Sequence, residues 1–325
     1  MGDSMRILVT GGAGYIGSHM VKLLNLNGHD VVTIDDLSTG HRDAVLEGTL
    51  IEGSLLDTDA LEAVLSAKTY DVVIHFAGSI AVGESVTNPS KYYRNNLVAS
   101  LNLLDALIKH GVKKLVFSST AAIFGNPQYV PIDESHPKVP INPYGETKLM
   151  FEQALTCYEK AYGLKSVSLG YFNASGADAD GLLGERHDPE THLIPLALRA
   201  TSPTKTALII FGNDYDTKDG TCVRDYVHVM DLCEAHLLAI EHLLSGGESR
   251  QYNLGNGAGY SVLEVIRTVE KITGKKVNVC YGPKRLGDPA CLVANSSSIR
   301  NDWGWQPNYS LDEIVSHAWQ WECKS

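Results

Sequence analysis

Six short runs rich in β-branched residues, RILVT, DVVTID, TLIEG, DVVIHFAG, KKLVFSS and KSVSLGYF, recur between Met5 and about Phe172 with helical segments between them. Strands separated by helices read as parallel βαβ units, so the pattern predicts an α/β chain built on a Rossmann-type, doubly wound parallel sheet. Between the fourth and fifth runs, PSKYYRNNLVASLNLLDALIKHG has apolar residues at helical spacing and ends at Gly111. After Phe172 the pattern loosens. Gly and Asp cluster from Ala174 to Gly184, and later elements come singly: a helix near VHVMDLCEAHLLAIEHLL, a strand QYNLG, a helix SVLEVIRTVEKITG and a last helix SLDEIVSHAWQWE. The expected organisation is a first domain over residues 1–172 and a smaller, loop-rich α/β lobe over 173–325, with some segments returning to the first domain.

The first strand runs straight into TGGAGYIGSH, where Gly11, Gly14 and Gly17 are spaced G-x-x-G-x-x-G. Glycines there permit a tight strand-to-helix turn and close backbone approach to a pyrophosphate, while the helix N-terminus offers its positive dipole to phosphates. The second strand ends in Asp35, 18 residues beyond Gly17, where a carboxylate can accept hydrogen bonds from adenosine ribose hydroxyls. Asp35 with Asp36 would repel a 2′-phosphate, which favours NAD over NADP. The alternative for Asp35 is a turn or cap aspartate.

Bulk composition narrows the partners. Of 325 residues 44% are hydrophobic and 20% charged, enough for one large or two smaller cores. The net charge of −11 arises from 38 acidic and 27 basic residues with no Lys/Arg run, which argues against a nucleic-acid partner. Six cysteines without a CxxC and 12 histidines without HExxH or paired-ligand spacing predict reduced thiols and no metal site. RILVTGG leads into the glycine turn rather than a cleavage site, and Gly2 to Ser4 read as an appendage before the first strand. No apolar run approaches a membrane span, so a cytoplasmic protein with no membrane partner is expected.

The stretch NPYGETK sets Tyr144 and Lys148 four residues apart at the start of a helix that continues as LMFEQALTCYEKAYG. On one helix face, the ammonium can favour the ionised phenol and make it a usable base. Taken alone, the pair also reads as an exposed tyrosine beside a solvated lysine.

The glycine spacing together with Tyr-x-x-x-Lys resembles the extended short-chain dehydrogenase/reductase family. In that family the tyrosine is the acid/base, the lysine binds the nicotinamide ribose and lowers the tyrosine pKa, and an upstream Ser or Thr hydrogen-bonds the reacting oxygen. FSSTAAIFG supplies the third member, assigned to Thr120 with Ser119 as the alternative. Lowering Tyr144 from ~10 to near 7 requires about 4 kcal/mol of differential stabilisation, which Lys148 and a cationic nicotinamide are expected to provide. The resemblance narrows to the UDP-glucose (UDP-galactose) 4-epimerases through TGGAGYIGSH, HFAGSIAVGESV, KYYRNN, NPYGETKLM, YFNASGA, IFGNDYDTKDGTCVRDYVHVMD and RLGDPA, nearly the whole chain.

What the resemblance implies is an isomerase in which hydride passes from sugar C4 to NAD as Tyr144 takes the 4-hydroxyl proton, giving a 4-keto sugar that takes the hydride back on its other face. It places cofactor contacts on the turn at Gly11, Gly14, Tyr15, Ile16 and Gly17. Further ones fall at Asp35, at Ser54 and Leu55, along Phe76, Ala77 and Gly78, at Asn95, and at Tyr144, Lys148 and Tyr171. HFAG could equally close a buried strand, and Asn95 could be a polar helix residue. For the UDP-sugar it implies Thr120 and Tyr144 at the sugar, Asn173 on the phosphate side, Arg224 and Arg285 on the diphosphate and Asp288 on the uridine ribose, with Leu193, Phe211 and Cys291 beside them. Cys291 corresponds to a position where a tyrosine restricts the sugar and a small residue admits an N-acetyl group, which extends the expected substrates to UDP-GlcNAc and UDP-GalNAc. Its alternative is a small buried hydrophobe.

Two positions depart from the family. Ser54 falls where many members carry an aspartate contacting adenine, and Ile80 where some carry a lysine near the cofactor diphosphate, so NAD retention is expected to be weaker. A nucleotide-sugar 4,6-dehydratase is the nearest rival, but dehydratases place an Asp-Glu pair just after the catalytic Thr and here Ala121 and Ala122 follow. A non-catalytic NAD-binding regulator would need only the glycine motif. The resemblance also implies a homodimer, through exposed YY and LMFEQAL faces on helices from Pro89 to His110 and Pro143 to Tyr162.

Overall fold

Ile7, Leu8 and Val9 on one strand and Val72, Val73 and Ile74 on another are all fully buried. Consecutive burial, rather than alternation, marks strands covered on both faces, as in a parallel sheet layered between helices. A computed structural model of the chain describes residues 4–285 and 288–324; Gly2 and Asp3 of the expected appendage lie outside the described residues.

The six runs form β1 (Arg6–Thr10), β2 (Asp30–Asp35), β3 (Thr49–Glu52), β4 (Val72–His75), β5 (Lys114–Thr120) and β6 (Lys165–Tyr171). They lie in one seven-stranded sheet in the order β3-β2-β1-β4-β5-β6, completed beside β6 by the strand Arg250–Leu254. β1 pairs in parallel with β2 on one side, Thr10 opposite Ile34, and with β4 on the other, Thr10 opposite His75. The order therefore reverses between β1 and β4, the point at which open α/β sheets bind their ligands. The last strand is QYNLG, which the sequence reading left in the second lobe. Chain position carries no information about which sheet edge a strand will extend.

Helices cover the sheet through apolar stripes. Leu61, Leu103, Leu107 and Phe151 meet Leu115 and Phe117 in one buried cluster, each such side chain contributing roughly 1.5–3 kcal/mol of transfer free energy. The predicted helix from Pro89 to His110 is divided: Pro89–Tyr92 is α-helical, Tyr93–Val98 is π-helical and Ala99–Lys109 is α-helical again. Helix Pro143–Tyr162 starts as its sequence requires. The Asn142 side chain accepts from Gly145 N at 2.9 Å, Pro143 takes the first turn, and Gly163 closes the other end at φ 73°.

Two compact units divide the chain. The first comprises Met1–Gly125, Lys138–Gly170 and Cys233–Tyr252; the second comprises Asn126–Pro137, Tyr171–Leu232 and Asn253–Ser325. Within the second, strand 173–175 pairs with 226–228, 208–211 with 279–282, and Val223–Arg224 with both Cys291–Leu292 and Tyr260–Ser261. Its helices Val262–Thr273 and Leu311–Glu322 both begin with capping boxes, Ser261 with Glu264 and Ser310 with Glu313. They pack Val265, Val269, Ile314 and Val315 into a core with Ile194 and Leu198.

The faces expected to be exposed are partly covered by the chain itself. Tyr92 is fully buried, as are Phe151 and Leu155, while Tyr93 is exposed. All six cysteines are free thiols. Among the described residues no helix is long and apolar enough to cross a membrane.

Candidate active site

The glycine turn is built so that no side chain fits inside it. A Cβ on Gly17 would stand 2.2 Å from Gly11 O, and one on Gly11, which holds φ 72°, would stand 2.5 Å from Ala77 N. Phe76 N and Ala77 N both donate to Thr10 O, at 2.9 and 3.1 Å. HFAG thus closes β4 and forms one wall of the turn at the sheet's reversal point. Helix Tyr15–Leu26 starts at Gly14 with no side-chain cap and no acidic residue in its first turn. A helix start without an acidic residue or side-chain cap directs its positive dipole toward an anion.

Asp35 is buried and its two oxygens are each anchored: Oδ2 accepts from Ala13 N and Oδ1 from Leu37 N, both at 2.9 Å. Burial pushes its carboxyl above the ordinary range, with these two N–H groups opposing. Each oxygen keeps a further lone pair for a ribose hydroxyl. Leu55 is buried in the core, and Ser54 Oγ accepts from Leu56 N at 3.2 Å, so Ser54 is a turn-former in its own right. Ile80 is 45% exposed. A cradle that excludes Cβ atoms, an uncapped helix and an anchored carboxylate at the second strand end together fit a dinucleotide.

Sequence reasoning pointed to Asn95, whose Nδ2 donates to Ser79 Oγ at 3.2 Å. It passed over Asn96. This buried amide accepts from Ser79 N at 2.7 Å and donates to Ser79 O at 2.9 Å, holding the loop after Gly78 by its backbone. Both asparagines sit in the π-helical turn, and an adjacent pair of amides in an otherwise apolar helix was the available signal. Another residue passed over is His75, fully buried between Thr10 Oγ1 and Ser100 Oγ at 2.7 Å each. Ser100 gives its own proton to Asn96 O at 2.7 Å, so the ring donates from Nε2 and accepts at Nδ1 from Thr10. Burial, helped by the Lys148 charge, drops its pKa to about 3 and keeps it neutral.

Thr120, Tyr144 and Lys148 meet at the end of β5 and the first turns of helix Pro143–Tyr162. The Thr120 hydroxyl favours the ionised form of the Tyr144 phenol, and Thr120 Oγ1 accepts from Ala122 N at 3.1 Å. A Cβ on Gly145 would stand 2.4 Å from Ala122 O, so the absence of a side chain there lets this helix approach the β5 loop. Lys148 is 4% exposed, donates to Ser118 O at 2.9 Å and lies 4.8 Å from the Phe117 ring centre. Burial brings its ammonium down to about 8, opposed by the Glu152 carboxylate.

Burial raises the Tyr144 phenol above its ordinary range, and the Thr120 hydroxyl opposes that rise; the lowering expected from Lys148 together with a cationic nicotinamide concerns the cofactor-bound site. Ser119, the alternative to Thr120, donates instead to Glu152 Oε1 at 2.5 Å.

The remaining candidates lie in the second unit, Tyr171 at its start as the 8% exposed last residue of β6. Arg224 forms an ion pair with Asp288, and the Arg285 guanidinium stacks 3.9 Å from the Phe211 ring centre. Asn173 Nδ2 donates to Asp225 O at 2.9 Å, and Leu193 opens helix Leu193–Arg199 half-buried. Cys291 is half-buried, in register with Val223, with Leu292 opposite Arg224. Asp225, missed in the sequence, is the hub beneath them: fully buried, it accepts from Asn256 N, Gly257 N and Ala294 N at 2.6, 3.0 and 3.1 Å.

The chain is similar to known proteins over nearly its whole length. Residues 7–255 match the model of the NAD dependent epimerase/dehydratase family. The chain is 49% identical to the UDP-glucose 4-epimerase of Halalkalibacterium halodurans over 318 residues, 98% of this chain and 95% of that protein. Among solved structures, UDP-glucose 4-epimerase from Brucella ovis in complex with NAD superposes with a TM-score of 0.95 at 47% identity, over 97% of this chain and 98% of that one. The UDP-Glc/GlcNAc 4-epimerase of Campylobacter jejuni superposes with a TM-score of 0.87 at 42% identity, over 99% and 100% of the two chains. With a glycine cradle, an anchored carboxylate at Asp35 and Thr120, Tyr144 and Lys148 in one unit, and a match across three quarters of its length, the chain belongs to the NAD-dependent epimerase/dehydratase family.

Proposed function

We propose that the protein is an NAD-dependent isomerase that interconverts UDP-glucose and UDP-galactose, and also UDP-GlcNAc and UDP-GalNAc, by inverting sugar C4. The observation that carries this reading is Tyr144 and Lys148 one turn apart at the start of helix Pro143–Tyr162, with the Thr120 hydroxyl favouring the ionised phenol. When bound, NAD supplies a cationic ring and a hydride acceptor for sugar C4 that returns the hydride to the opposite face.

Gly11, Gly14 and Gly17 give the pyrophosphate its backbone approach, with Tyr15 and Ile16 opening the helix behind it, and Asp35 holds the adenosine ribose. Tyr144 takes the proton of the 4-hydroxyl at its phenolic oxygen and returns it, and Thr120 orients the same oxygen. Lys148, held by Ser118 O, keeps a positive charge near the ribose side. In the second unit Arg224 and Arg285 bind the diphosphate, Asp288 the uridine ribose and Asn173 the phosphate side, with Leu193, Phe211 and Cys291 alongside. Ala121 and Ala122 after Thr120 leave no acid for an elimination, which favours epimerisation over dehydration. The free thiols favour a cytoplasmic setting.

Incubation with UDP-galactose and, separately, UDP-GalNAc followed by chromatography tests the reading. UDP-glucose and UDP-GlcNAc are the expected products. A dehydrated keto sugar would establish the dehydratase instead, and no turnover by the NAD-loaded protein would leave only a binding role.

A further inference from the structure

The segment GERHDPETH carries two glutamates and two histidines in the order Glu185, His187, Glu190, His192. E-x-H-x-x-E-x-H is not a helical ligand motif and shows no familiar metal spacing, but the loop folds these four side chains onto one point. One ligand atom from each lies within 4.8 Å of all the others. His187 Nδ1 is 3.0 Å from Glu185 Oε1 and 3.8 Å from Glu190 Oε1, and His192 Nδ1 is in direct contact with Glu185 Oε1. The two imidazoles stand perpendicular, at 87° with ring centres 5.2 Å apart.

Second, the set holds an unused donor. Glu190 has a side chain only 1% exposed, and its Oε1 accepts from Thr191 N and His192 N at 2.7 and 2.9 Å. Its Oε2 is buried without a hydrogen-bond partner among the described residues. A buried carboxylate oxygen with no donor is unfavourable unless something cationic meets it. The cradle is also fixed from behind: Trp321 Nε1 donates to Glu185 O at 3.0 Å, and a Cβ on Gly184 would stand 2.2 Å from the Trp321 ring.

We propose that Glu185, His187, Glu190 and His192 form a binding site for one divalent transition-metal ion of the zinc type. Two imidazole nitrogens and two carboxylate oxygens are a normal tetrahedral zinc set, with ligands about 2.0–2.2 Å from the ion and therefore roughly 3.3 Å from one another. The observed spacing brackets that value. Two carboxylates balance the ion's charge, and binding displaces the protons that the imidazoles need when the same groups close as ion pairs. Four protein ligands leave no open position, so the ion is structural. It staples the loop that leads directly into Leu193, and the site stands independently of the reaction proposed above.

The test uses the full-length, NAD-loaded protein, stripped with a chelator and dialysed against Zn²⁺. One equivalent of zinc per chain is expected by elemental analysis, together with a Tm rise of about 4 °C or more. X-ray absorption at the zinc edge should show only N/O ligands, which excludes the six cysteines. His187→Ala and the near-isosteric Glu190→Gln should each weaken zinc binding about 100-fold and abolish the Tm rise. Circular dichroism of the Glu190→Gln variant at low temperature checks that its fold is retained. Less than a tenth of an equivalent on the wild-type chain, a sulfur shell, or wild-type affinity in both variants would overturn the site.

Discussion

Ser119 gives its hydroxyl proton to the buried carboxylate of Glu152 across 2.5 Å, while the other oxygen of Glu152 takes the Lys138 ammonium at 2.6 Å. This clamp lies one helical turn beyond Lys148, and Glu152 is the group that opposes the lowering of the Lys148 pKa by burial. Ser119, adjacent to Thr120, therefore serves the lysine from beneath rather than the tyrosine.

Glu152→Gln tests that arrangement. A depressed lysine is charged below its pKa of about 8 and neutral above it. Removing the carboxylate that favours the ammonium lowers that pKa further, so the alkaline limb of the pH–rate profile should move to lower pH, with wild-type rates approached in acid. Ser119→Ala, which removes one donor but leaves the carboxylate, should cost about 1–3 kcal/mol of stability and leave the limb in place. An unmoved limb in Glu152→Gln would show that the carboxylate acts only in folding.

Tyr144→Phe should lower kcat by about 10²- to 10⁴-fold with little change in NAD content, because only a proton-transferring oxygen is lost. Thr120→Ala should also reduce kcat and should raise the apparent pKa of the phenol, since its hydroxyl is what opposes burial there. A pH–rate profile of the Thr120 variant checks the sign. If its acid limb stays put or moves to lower pH, Thr120 does not assist ionisation.

The sheet and the catalytic helix were legible because their determinants are local. β-branched runs, a glycine turn and Asn-Pro-Tyr at a helix start each fix their own geometry, and β1 to β6 and helix Pro143–Tyr162 follow them closely. What escaped depends on distant partners. Arg250–Leu254 joins the first sheet although most of the intervening chain belongs to the second unit. Asp225, Asn96 and Glu152 are polar residues made structural by burial, which spacing alone does not encode.

Asn96→Ala should loosen the loop after Gly78. Two hydrogen bonds to the partly buried backbone of Ser79 vanish, a loss of about 1 kcal/mol for each. Thermal denaturation should show the drop, and protein purified without added cofactor should carry less NAD than wild type. Full NAD occupancy in a destabilised variant would separate the loop from cofactor retention.

Homodimer formation is expected from the family resemblance, with Tyr93 and Val98 exposed on the divided helix and Tyr162 on the catalytic one. Light scattering at micromolar concentration should give about twice the 35.3 kDa of one chain. Charged substitution at Val98, which lies 45% exposed on the π-helical turn, should then shift the mass toward one chain. A single-chain mass for the wild type would refute the dimer.

We propose that the sugar that fits is set by a short strand. Cys291 pairs with Val223 and its neighbour Leu292 with Arg224, so the position is tied in register to a proposed diphosphate ligand. It is only half-buried, which leaves its side chain room to be exchanged without rebuilding a core. A tyrosine there adds a ring where the cysteine has one sulfur. Overpacking of this kind typically costs ~1–3 kcal/mol, a specificity change of about 10- to 100-fold. Cys291→Tyr should therefore lose turnover of UDP-GalNAc selectively while UDP-galactose turnover stays within a few-fold of wild type. Parallel product chromatography with the two substrates reads both rates. If the wild-type chain turns over UDP-galactose but not UDP-GalNAc, or if the tyrosine variant loses both activities equally, the acetamido group is selected by other residues and Cys291 is a small hydrophobe of the strand.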